Sequence, residues 1–131
     1  MTVKERKDQL MKWANEAIRD SSICNDGVIV SESYNGQIAA FSVSVAISGL
    51  KPAMALYYSG KGSSDVDKKK IIGLIADMYS KDTNTTISAD EFYKKVIEKE
   101  NSQLPELQKQ ITEYGIALKL AIRTFKFKQH E

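Results

Sequence analysis

Apolar residues recur at three- and four-residue spacing over most of the chain. Leu10, Trp13, Ala14 and Ala17 do so first, with Lys4, Lys7, Lys12, Glu16 and Arg19 around them. They predict a helix over about Val3 to Asp20, followed by a turn at Asn25-Asp26-Gly27. A helix over about Leu50 to Ser59 is predicted next, with Pro52 tolerated in its first turn and Leu50, Met54 and Tyr57 or Tyr58 inward. Ser64-Asp65-Val66-Asp67 has capping-box spacing, with Asp in place of Glu, ahead of Ile71, Leu74, Ile75 and Met78. Ser88-Ala89-Asp90-Glu91 is a second box, opening a shorter helix through Phe92, Val96 and Lys99. Last, Leu104, Leu107, Ile111, Tyr114, Leu118, Ile122 and Phe125 form an almost unbroken seam. Ser102 is expected to cap that helix, with Pro105 in its first turn.

One segment is ambiguous. Phe41, Val43, Val45 and Ile47 alternate with Ser42, Ser44 and Ala46, the pattern of a half-buried strand. Ile38, Phe41, Val45 and Ser48 also make a helical stripe. Periodicity leaves strand and helix both open here. With this segment as a helix, the expectation is an all-α fold, a single compact bundle of about six helices with a long C-terminal helix.

The chain has 131 residues, which fits a single helical domain spanning 1–131. With 42% hydrophobic residues and a net charge of +2, it has the composition of a folded domain rather than a disordered one. No apolar run reaches the roughly 18 residues of a membrane span, and the opening Met-Thr-Val-Lys-Glu-Arg-Lys-Asp has no apolar leader segment. Neither a signal peptide nor a membrane is expected. The single cysteine, Cys24, fits a reducing, cytoplasmic setting.

Candidate chemistry is sparse. The one histidine, His130, stands next to the last residue, a poor place for a rigid ligand or base. No catalytic residue, metal site or cofactor is expected; the alternative of a small enzyme would use carboxylates such as Asp65, Asp67 or Asp77. Asp65 and Asp67 at a helix start read first as capping and dipole partners. Gly60-Lys61-Gly62-Ser63-Ser64 departs from the phosphate-loop pattern in order and context and reads as a plain loop. Three successive lysines, Lys68 to Lys70, would fan out round a helix and form no tight patch. Lys119, Arg123, Lys126 and Lys128 are different. The seam predicts a helix of roughly 24 residues, and on it the first three, spaced by four and three, share one face. They can satisfy the helix dipole or contact phosphates.

Two stretches resemble a known family. They are Phe41-Ser42-Val43-Ser44-Val45-Ala46-Ile47-Ser48-Gly49-Leu50-Lys51-Pro52-Ala53-Met54-Ala55-Leu56-Tyr57-Tyr58-Ser59-Gly60-Lys61-Gly62, and Tyr114-Gly115-Ile116-Ala117-Leu118-Lys119-Leu120-Ala121-Ile122-Arg123-Thr124-Phe125-Lys126. They are similar to the small all-helical subunit of type III-B CRISPR effectors, the Cmr-type RNA-guided complexes. The sequence departs from that pattern at Ser48, Pro52, Gly115 and Phe125. The Csm-type small subunit is a near alternative. The resemblance implies that residues 37–48 are helical. It also implies a non-catalytic antiviral defence subunit that stacks with copies of itself and other subunits and helps hold crRNA and target RNA. The phosphate contacts it implies are Lys119, Arg123, Lys126 and Lys128, then Lys51 and Lys61. The other reading is a helical protein-interaction module without RNA contact, its Leu104–Phe125 seam completing a partner's core.

Overall fold

Among the described residues, six helices and three very short strands account for nearly all of the regular structure. The computed structural model describes residues 1–59 and 67–128, the last by its backbone alone. The Gly60–Ser64 loop, the Ser64 cap, Lys61, Asp65 and His130 therefore lie outside the described residues.

Helix α1 (Val3–Arg19) starts where Thr2 takes the Glu5 N–H on its hydroxyl at 3.1 Å. Leu10, Ala14, Ala17 and Ile18 turn inward. The chain then reverses through Asp26 (φ 55°) and Gly27 (φ 73°). Positive φ at both central positions is the type I′ hairpin turn. It joins strand β1 (Cys24–Asn25) to strand β2 (Ile29–Ser31) antiparallel, Cys24 opposite Val30.

The ambiguous segment is helical. Helix α2 (Glu32–Ser48) buries Tyr34, Ile38, Phe41 and Val45. It ends at Gly49, whose φ of 92° lets helix α3 (Leu50–Ser59) begin at once in a new direction. Leu50, Ala53, Met54 and Tyr57 are the buried side of α3. Helix α4 (Lys69–Thr83) starts later than its sequence pattern predicts. Asp67 is the residue that organises the start: its carboxylate accepts the Lys69 N–H, and its own N–H donates to the Tyr34 hydroxyl, both at 3.1 Å. Asn84 in the left-handed region closes α4.

Helix α5 (Ala89–Glu98) has the predicted capping box, Ser88 and Glu91 exchanging hydrogen bonds at 3.1 Å. A 3-10 turn, Asn101–Gln103, leads into helix α6 (Leu104–Ile122) with Pro105 in its first turn. Ser102 lies inside that turn and is not the cap; Gln103 takes that position.

Helix α6 packs against α1, α2 and α4. Leu107, Ile111, Tyr114, Leu118 and Ile122 are all buried at 4% exposure or less, so the predicted seam is internal and completes this chain's own core. The α6–α2 crossing is close: a Cβ on Gly115 would stand 2.7 Å from Ser42 Oγ.

The seam ends one turn early. Thr124 and Phe125 N–H groups bond three residues back, to Ala121 and Ile122, and the Thr124 hydroxyl also donates to Ala121 O at 2.7 Å. These bonds draw the last turn tight and release the chain into strand β3 (Lys126–Lys128). Strand β3 runs parallel to β2, Ile29 opposite Lys126 and Ser31 opposite Lys128. The sheet order is β1-β2-β3, with buried Val30 at its centre. This small sheet is an addition to the all-helical expectation. Among the described residues no helix is long and apolar enough to cross a membrane.

Candidate nucleic-acid interface

The cationic end of the molecule is built where α6 gives way to β3. Lys119 lies in the last turn of α6 and is half-buried; Arg123 takes the C-cap position and is exposed. Four residues apart, they share one side of the helix, and both sit at its negative end. Neither has an ion-pair partner among the described residues.

Lys126 and Lys128 do not extend that helical face, because the helix stops at Ile122. Lys126 is exposed on β3, its N–H bonded to Val28 O at 2.9 Å; the Lys128 backbone lies opposite Ser31. The predicted single strip is thus two groups joined by a turn. No Asp or Glu occurs from Tyr114 to Lys128, so the segment as a whole is basic.

Lys51 stands apart. Its ammonium donates to Lys99 O at 2.7 Å, tying the start of α3 to the end of α5. Helix α3 packs against α2, α4 and α5. Lys61 lies outside the described residues.

The carboxylates have structural work. Asp67 organises the start of α4, and Asp77 Oδ2 sits 3.4 Å from Lys81. Both line an open groove of about 430 Å³ beside Asp20, Lys69 and Lys70. Among the described residues, no three His, Cys, Asp or Glu side chains gather as a metal site. Cys24 is half-buried, and burial pushes its thiol above the ordinary value, away from the reactive thiolate.

Two polar clusters went unpredicted. Arg6 of α1 grips Asp82 of α4 through both guanidinium nitrogens, at 2.5 and 2.8 Å, and reaches Glu113 of α6 at 3.5 Å. The Tyr114 hydroxyl donates to the same Asp82 carboxylate at 2.5 Å. The Arg6 bonds hold the Asp82 carboxyl below its usual range, and burial with the Asp82 bond drives the Tyr114 hydroxyl well above its own. On the other side, Tyr58 stacks on Tyr93 with centroids 3.9 Å apart, and Asp90 accepts from both the Tyr58 hydroxyl (2.6 Å) and Lys69 (2.8 Å). Both clusters join residues remote in sequence, and no local spacing signals them.

No family model, curated protein or solved structure matches this chain. The fold and site define a small helical domain with a three-stranded clasp and a basic terminal segment.

Proposed function

We propose that this chain is a non-catalytic small subunit of a Cmr-type RNA-guided effector complex, holding the guide–target RNA by its phosphates. The reading rests on the sequence resemblance. The observation that supports it best is the acid-free segment ending α6, where Lys119 and Arg123 carry no ion-pair partner among the described residues. Unpaired cations on a helix end contact phosphate oxygens without reading bases. Lys126 and Lys128 extend the contact onto β3. Lys51, bonded to Lys99 O, is the weakest member of the set. Copies of the chain and other subunits are the protein partners, and the setting is cytoplasmic.

Tagged chain recovered from its host should elute as a large particle containing short, discrete guide-like RNAs. A small RNA-free species would overturn the assignment. In the recovered particle, the Lys119→Ala/Arg123→Ala pair should weaken RNA retention and flatten its salt dependence by about 0.7 per lost contact on single strands. Unchanged retention and slope would remove these two residues from the interface.

A further inference from the structure

Helix α2 is apolar on both sides. Tyr34, Ile38, Phe41 and Val45 face the core. Gly36, Ala40, Val43 and Ile47 form the opposite stripe, and all four are exposed, Val43 at 56% and Ile47 at 78%. No charged residue occurs from Ser33 to Leu50. A surface helix ordinarily turns a charged or polar side to water. Gly36 sharpens the anomaly. Its φ is not positive, and a Cβ there would meet nothing within 4 Å among the described residues. Glycine inside a helix is destabilising relative to alanine, and no packing among the described residues requires it here.

The stripe has a symmetry of its own. Its spacings are four, three and four, the same from either end, with the small residues at one end and the large ones at the other. A second α2 turned end for end, about a two-fold axis midway between Ala40 and Val43, matches it. Each Ile47 then lies over the partner's Gly36 and each Val43 over the partner's Ala40, so every protruding side chain meets a gap. A four-three-four seam suits a shallow helix crossing, and glycine lets the backbones approach. Parallel pairing would instead set Ile47 on Ile47 and wedge one end apart. Charge favours the same arrangement. The only charges between Val28 and Gly60 are Glu32, exposed at the start of α2, and Lys51, just past its end. Antiparallel pairing sets the acidic end of one copy by the basic end of the other, whereas parallel pairing sets like by like. Lys51 keeps its bond to Lys99 O and acts only as a nearby charge.

We infer that the outer face of α2 is the interface of a homodimer, in which two copies of the chain pair their α2 helices antiparallel. The contact is isologous, so it closes at two copies. An open stack of copies is built from contacts between unlike faces and is a different association. The inference stands on the α2 stripe and is independent of the RNA reading. From Gly36 to Ile47 the stripe measures about 16 Å. One helix pair of that length covers less than the roughly 800 Å² per partner of a standard interface. The dimer is therefore reversible and forms at high concentration.

The test is analytical ultracentrifugation of the full chain from about 10 μM to about 1 mM. Monomer should give way to dimer, with no larger species. Val43→Glu and Ile47→Glu, both at exposed positions, should each weaken the association at least tenfold and leave the thermal midpoint within a few degrees. Gly36→Leu fills the gap and should disperse the dimer without lowering the midpoint. Register is read by oxidising single-cysteine chains that also carry Cys24→Ser. Ala40→Cys mixed with Val43→Cys should give a mixed disulfide. Ile47→Cys should not couple to itself, its two copies lying about 16 Å apart along the pair. Monomer throughout the range would overturn the inference, as would a dimer indifferent to both glutamates or a disulfide-linked Ile47→Cys pair. So would a series of species beyond two copies that Val43→Glu removes, since the face would then serve an open stack.

Discussion

Asp82 is shared between Arg6 and Tyr114, so one carboxylate joins α1, α4 and α6. Tyr114→Phe keeps the ring and removes a hydrogen bond to a charged group, and should cost about 1.5–3 kcal/mol in urea unfolding. The pH dependence has two limbs. A carboxyl held below its usual value in the fold stabilises above the unfolded value of about 3.9, and that contribution drains away as pH falls through the lower folded value. The stability gap between the native chain and Asp82→Asn should therefore narrow below about pH 4. A tyrosine hydroxyl held high stabilises below about pH 10 and loses that contribution as pH rises further. Tyr114→Phe should accordingly flatten the alkaline limb of the stability profile; an unchanged limb would mean that the hydroxyl does not titrate with unfolding.

Among the elements, α5 and the α2–α3 junction depend most visibly on single residues. Ser88→Ala breaks the capping box and should lower stability by about 1 kcal/mol, read as a shift in urea midpoint at constant slope. Gly49→Ala places a Cβ on a backbone with φ 92° and should cost about 1–2 kcal/mol. The box at Ser88 was legible because its partners lie three residues apart. The nature of α2 was not, and the reason is specific. Phe41 and Val45 face inward, whereas Val43 (56% exposed) and Ile47 (78%) face out. Outward apolar residues two positions from inward ones imitate strand alternation on a helix. The sheet escaped notice because strands of two or three residues have no periodicity to read. Strand β3 was in addition absorbed into the helical pattern, since Phe125 continues the spacing of α6 while standing beyond its end. The four candidate cations of this segment were thus found by composition, but their arrangement depended on where one helix stops.

At the scale of the whole molecule, the chain is a helical bundle whose two halves are fastened by the sheet. Ile29 pairs with Lys126, so β2 and β3 close a loop of about a hundred residues, at an entropic cost of roughly 4 kcal/mol before any constant term. Three backbone pairs cannot offset that alone; the packed helices must bring the strands together first. Removing residues 126–131 should leave the helical circular dichroism nearly intact while amide exchange at Ile29–Ser31 accelerates by at least tenfold. Unchanged exchange would mean that the β1–β2 hairpin is protected without β3.

The parallel pairing of β3 also fixes an order of events during synthesis. Helices α1 to α5 can begin to assemble as they leave the ribosome, each finding partners already made. The sheet cannot close until Lys126–Lys128 emerge, because they form one of its three strands. Until then the β1–β2 hairpin presents an open edge, in a nascent chain whose core also lacks α6. The clasp therefore ties the hairpin near the start of the chain to a segment made about a hundred residues later: only a chain translated through Lys128 can pair all three strands.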